Sequence, residues 1–74
     1  MFYPNPTRGD VLFTITNGDG KNNVTVFNAV GQQVAAYRFT QDEFHINFKN
    51  FENGFYFVTI ANNNGIITKK VVKE

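Results

Sequence analysis

Few residues in this chain could carry covalent chemistry. His45 is its single histidine, and neither serine nor cysteine occurs among the 74 residues. A Ser–His or Cys–His pair, in which imidazole takes the proton of an attacking group, therefore cannot be assembled. His45 alternates with Phe44 and Ile46, which predicts that it points to the solvent face of a strand. Asp42 and Glu43 are adjacent, so a strand sends them to opposite faces, whereas a general acid and base must share one cleft. The segment Asn17-Gly18-Asp19-Gly20-Lys21-Asn22 has the oxygen-rich look of a calcium loop. Lys21, however, sits where an acidic ligand is needed, and no glutamate follows at the right distance. Its Gly-x-Gly lacks a third glycine, a Lys-Ser/Thr pair and a following helix, so it is no phosphate loop. Without cysteine there is neither a disulfide nor a thiolate metal site. The expectation is a domain with no catalytic centre, no cofactor and no metal.

The elements that position the remaining residues are legible from turn signals. These are Asn5-Pro6-Thr7-Arg8-Gly9, Asn17-Gly18-Asp19-Gly20, Asn28-Ala29-Val30-Gly31, Asn53-Gly54 and Asn62-Asn63-Asn64-Gly65. Asn and Gly supply the positive φ that tight turns need. Between the turns apolar residues alternate: Val11, Phe13 and Ile15; Val24 and Val26; Val34 and Ala36; Phe44, Ile46 and Phe48; Tyr56, Val58 and Ile60; Ile67 and Val71. A period of two is the trace of half-buried strands. The nearest approach to a helical pattern, residues 28–37, is weakened by Gly31 and the β-branched Val30 and Val34. Six strands are predicted, over 10–16, 23–28, 32–39, 43–48, 54–61 and 65–72, with room for a seventh before Pro4 that upstream chain could supply. Their lengths suit hairpins in mostly antiparallel sheets packed face to face.

Composition agrees. A chain of this length buries only about 60% of its unfolded surface, and nine Phe and three Tyr give it a core. Net charge is +1 and the basic residues are scattered, apart from Lys69, Lys70 and Lys73, so nothing here favours nucleic acid. No apolar run is long enough to span a membrane. Met1-Phe2-Tyr3-Pro4 has neither the basic nor the apolar region of a signal peptide, and Met1 reads as an expression start on an excised fragment.

The punctuation itself is distinctive. The chain opens with Tyr3-Pro4-Asn5-Pro6-Thr7-Arg8-Gly9. Its middle contains Phe27-Asn28-Ala29-Val30-Gly31, a later stretch contains Gly54-Phe55-Tyr56, and it closes with Thr68-Lys69-Lys70-Val71-Val72-Lys73-Glu74. In order and spacing this resembles the type A C-terminal sorting domain of the type IX (Por) secretion system of Bacteroidota. Two departures are mild: Phe27 stands where Tyr is common, and Phe48 where Leu is common. The resemblance covers residues 3–74. It implies an all-β, immunoglobulin-like antiparallel sandwich of six to seven short strands, forming one domain over residues 1–74 at the C-terminus of a larger secreted protein. It further implies a non-catalytic secretion signal that directs a covalently continuous N-terminal passenger across the outer membrane to the cell surface or the medium. The implied partners are the type IX outer-membrane translocon and a sortase-like protease that removes the domain, the passenger then being attached to lipopolysaccharide or released.

Each landmark has two readings. Pro4, Pro6 and Gly9 could form a recognition epitope, but the structural reading is favoured: proline fixes φ and biases its predecessor toward extended geometry, and Gly9 reads as the turn residue that starts strand 10–16. Gly31 marks the central turn. Gly54 and Tyr56 could be read by the export machinery, whereas Asn53-Gly54 makes a turn and Tyr56 opens an inward series, its hydroxyl seeking a partner. Lys69, Lys70 and Lys73 around Val71 could be the signal itself or could guard an edge strand against pairing. Phe27, Phe55 and Phe57 have the parity opposite to the core and are either an exposed docking patch or covered by neighbours or passenger. The competing function is a β-sandwich adhesion or carbohydrate-binding module with these aromatics as its platform.

Overall fold

The computed structural model describes residues 2–3, 7–15 and 20–74. Pro4 and Pro6, and most of the Asn17-Gly18-Asp19-Gly20 turn, lie outside the described residues. Seven strands follow in chain order: β1 (Phe2–Tyr3), β2 (Asp10–Thr14), β3 (Asn22–Asn28), β4 (Gln33–Phe39), β5 (Glu43–Asn47), β6 (Gly54–Asn62) and β7 (Gly65–Lys73). The seventh strand expected before Pro4 is β1, formed by Phe2–Tyr3 against Phe13 and Leu12 of β2.

The strands make two antiparallel sheets, one in the order β1-β2-β5 and the other in the order β4-β3-β6-β7. The turn chemistry explains the hairpins. Asn62-Asn63-Asn64-Gly65 closes β6 onto β7 in a two-residue loop, and Asn28 to Gln32 closes β3 onto β4. The connections β2–β3, β4–β5 and β5–β6 cross between the sheets, whose apolar faces stack. Val11, Phe13, Phe44, Ile46 and Phe48 on one side meet Val24, Val26, Tyr56, Val58, Ile60 and Val71 on the other. Burying each such side chain contributes roughly 1.5–3 kcal/mol. Phe39 of β4 stacks on Phe44 of β5 at 4.2 Å between centroids, and so ties an edge of the larger sheet to the smaller one.

Two expectations are corrected. Val34 and Ala36 do not continue the inward series: both are exposed, and Ala35 packs against the core instead. The register shifts between Val26 and Phe27, so that Val26 faces Ala35 while Phe27 faces Gln33. Ala35 pairs with the inward Val26 and Ala36 with the outward Thr25, so alternation itself turns Val34 and Ala36 outward, and the bulge at Val34 then sets Gln33 outward opposite Phe27. Ile67, expected in the core with Val71, is 42% exposed. It has the inward parity, opposite the buried Ile60, but β7 is an edge strand of nine residues.

One buried polar residue has no trace in the alternation. Asn22 is fully enclosed at the start of β3. Its Nδ2 donates to the Gln41 carbonyl at 2.8 Å and to Asp42 Oδ1 at 3.1 Å, and its Oδ1 accepts from Asn62 Nδ2 at 3.1 Å. All of its polar atoms are partnered, so it fixes one end of the sandwich without an unsatisfied group.

Candidate functional site

The landmarks that the sequence scatters over 66 positions converge at the other end of the sandwich. The first is the turn after Phe27. Asn28 Oδ1 accepts from the backbone N–H groups of Val30 and Gln32 at 3.1 and 3.0 Å, and its Nδ2 donates to Gln32 Oε1 at 3.0 Å. Gly31 takes a φ of 88°, the left-handed conformation that such a hairpin requires and that Gly adopts without a Cβ penalty. The Asn-x-x-Gly signature is therefore a backbone device.

The second is the connection into β6. Tyr56 is buried, its ring stacked on Phe51 at 5.3 Å and edge-on to Phe48 at 5.6 Å. Its hydroxyl donates to the Glu52 carbonyl at 2.6 Å, four residues upstream, which cinches the β5–β6 connection. The expectation of a buried anchor with a partnered hydroxyl holds, and the arrangement resembles the tyrosine corner of immunoglobulin-like sandwiches. Burial, and secondarily the Glu52 carboxylate, push the phenol above its ordinary range. Gly54 has a φ of 146°, again a glycine conformation. Between these two features lies an open cleft of about 430 Å³, walled by Val30, Val34, Phe51 and Phe55 and rimmed by Asn28 and Asn53.

The third is the end of β7. Val71 is in the core and pairs with Tyr56. The three lysines around it have different environments. Lys73 is only 8% exposed and its Nζ donates to Asn53 Oδ1 at 3.1 Å and to the Glu74 carbonyl at 3.3 Å. Lys69 is half-buried on the inward parity. Lys70 is exposed on the outer face, its Nζ 4.1 Å above the Phe55 ring.

The fourth is Thr7, which the reading of the opening motif passed over. It is buried and forms an isolated parallel bridge to Lys73. Its N–H donates to the Val72 carbonyl at 2.8 Å, and the Glu74 N–H donates to its carbonyl at 2.7 Å. Its Oγ1 accepts from the Gly9 N–H at 3.0 Å and donates to the Asp10 carbonyl at 3.2 Å. The signal available in sequence was a hydroxyl residue two places before a glycine, the pattern of a side-chain-closed turn. Gly9 lies outside the left-handed region, and its carbonyl accepts from Phe48 N–H at 3.0 Å. The opening motif thus clips the last strand. Residue by residue, Thr7 touches Lys73, Lys73 touches Asn53, and Asn53 adjoins the cleft that the Asn28 turn closes.

The reacting groups considered from sequence are not brought together. His45 is exposed and sits 3.2 Å from Asp10 on the outer face of the smaller sheet, and Asp42 is engaged by Asn22 and the Gly20 N–H. Among the described residues no cluster of His, Cys, Asp or Glu could hold a metal.

The arrangement therefore binds and holds its own C-terminal strand. The family of secretion system C-terminal sorting domains matches the chain over residues 1–74. Beta-agarase A of Zobellia galactanivorans is 31% identical over 73 residues, which are 99% of this chain and 13% of that protein. Four landmarks in family order, folded into one end of an antiparallel sandwich, and a family match along the whole length agree: this chain belongs to the secretion system C-terminal sorting domains, non-catalytic signals of type IX secretion that send a protein to the cell surface or beyond.

Proposed function

We propose that this domain stands at the C-terminal end of a larger secreted protein, delivers that passenger to the type IX outer-membrane translocon, and is afterwards separated from it by a sortase-like protease. The observation that carries the reading is the family match over residues 1–74. The geometry supports a specific division of labour among the landmarks. Gly9, Gly31, Gly54, Tyr56, Val71 and Lys73, with Thr7, hold the shape of one end of the sandwich. Lys70 presents its charge outward, and Lys69 lies between the two roles.

The test is a fusion of residues 3–74 to the C-terminus of an inert reporter that carries its own signal peptide, expressed in a type IX-competent bacterium. The reporter should reach the cell surface. Deletion of Lys70 to Glu74 should leave it in the periplasm, because it removes the buried Val71, both backbone partners of Thr7 and the amine held by Asn53. Lys73→Gln should lower the melting temperature and Lys70→Gln should not. Surface delivery of the five-residue deletion would overturn the sorting assignment for this chain.

A further inference from the structure

The outer face of the four-stranded sheet is not accounted for by any of these contacts. Pairing places Gln33, Phe27, Phe57 and Lys70 in one row across β4, β3, β6 and β7, with Phe55 and Val72 in the adjoining outward row. Phe55 is 49% exposed and Phe57 37%, while Phe27 is half-buried. Three aromatic rings on one sheet face, at the end where the landmarks meet, form a larger apolar surface than scattered exposed residues would. The next outward row is Ala36, Thr25, Thr59 and Thr68, and the one beyond it begins with Arg38. Within the four strands the outward positions carry two charges, Arg38 and Lys70, and no carboxylate. The acidic residues of the described strands, Asp10 and Glu43, lie in β2 and β5 of the other sheet.

This pattern selects among occupants. A second copy packed face to face would set Lys70 and Arg38 against their own kind with no carboxylate to receive them, and like charges brought together are unfavourable. An anionic headgroup or phosphate needs converging cations. Lys70 and Arg38 are instead three strands and four residues apart, about 19 Å on the lattice of a sheet. Two cations at that separation beside a flat apolar strip match a protein surface with carboxylates flanking apolar side chains.

Resting on the sorting function stated above, we propose that Phe27, Phe55, Phe57 and Lys70 form the surface by which a protein of the export machinery grips the domain, and that the partner meets it with apolar side chains bordered by carboxylates. In the complex the Lys70 amine, held over Phe55, faces a carboxylate of the partner.

A photo-crosslinking residue at Phe57 of the exported reporter fusion tests this, with the same residue at Leu12 on the opposite sheet as reference. The expected result is a crosslink from position 57 to a protein of the export machinery, with none from position 12. Phe55→Thr with Phe57→Thr should keep the strand propensity, leave the melting temperature within a few degrees, and reduce surface delivery at least tenfold. Lys70→Glu should do the same, and Lys70→Arg should restore delivery. Crosslinking to lipid, to the reporter or to a second copy of the domain would overturn the proposal, as would undiminished delivery of the folded double variant. Failure of the unaltered fusion to reach the surface would instead strike the sorting function itself.

Discussion

Tyr56 is the residue where anchoring and recognition can be separated most cleanly. Its ring packs against both Phe48 and Phe51, which also touch each other, and its hydroxyl makes one short bond to the Glu52 carbonyl. Tyr56→Phe keeps the packing and deletes the bond, which should cost about 1 kcal/mol, or roughly 4–8 °C in melting temperature for a domain of this size. Tyr56→Ala deletes the ring as well and should cost ~3–5 kcal/mol. At ~0.05–0.15 kcal/mol per residue the whole domain holds only about 4–11 kcal/mol, so the alanine variant should forfeit at least about a quarter of that stability. The hydroxyl also predicts a pH dependence. Burial raises the phenol's pKa in the folded state, so the folded protein binds that proton more tightly than the unfolded chain does. The resulting stability is fully present below the unfolded value of about 10 and is lost as pH rises through the folded value. Thermal melts followed by far-ultraviolet circular dichroism, from about pH 8 to about pH 11, should therefore show wild type losing stability in the alkaline range. The phenylalanine variant should lack that contribution, so the gap between the two should narrow. If Tyr56→Phe melts with wild type across the range, the Glu52 bond contributes nothing and the reasoning fails. If Tyr56→Ala loses less than about 1 kcal/mol while export stops, Tyr56 is a contact of the machinery rather than an anchor.

The glycines of the landmarks should behave differently from one another. At Gly31 an added Cβ meets no atom within 4 Å, so Gly31→Ala isolates the backbone penalty of its positive φ, about 1–2 kcal/mol by chemical denaturation. Gly9→Ala, whose Cβ makes ordinary contacts with Asn47 and Lys49, should stay within about 0.5 kcal/mol. Asn22→Ala leaves Asn62 and the 41–42 segment without their buried partner. It should cost about 1–3 kcal/mol, with hydrogen exchange rising first at the start of β3.

The sequence by itself determined what is local. Alternation marked all six long strands to within two residues of their described bounds, put Phe44 and Ile46 inward with His45 outward, and made Tyr56 a buried anchor. Asn and Gly set the turns because only those residues take the required φ at little cost. The absence of Ser and Cys removed two classes of nucleophile before any geometry was known. Tertiary structure decided what depends on partners distant in sequence. Parity gives a residue's side of a strand, but not whether anything covers that side: Val71 and Ile67 share a parity, yet only Val71 is buried. Parity likewise left Phe27, Phe55 and Phe57 undecided until the outer face of the larger sheet proved to carry no layer among the described residues. It also failed at Val34 and Ala36, because the face that β4 turns inward is set by its partner, with Ala35 opposite the inward Val26. Lys70 and Lys73 look equivalent in sequence, three positions apart in one basic run. They part company because an odd spacing in a strand sends them to opposite faces, one toward solvent over Phe55 and the other toward Asn53. Thr7 acquires its role only when the chain returns after 66 residues to place Lys73 beside it, since a backbone bridge is written in topology and leaves no mark on side-chain type.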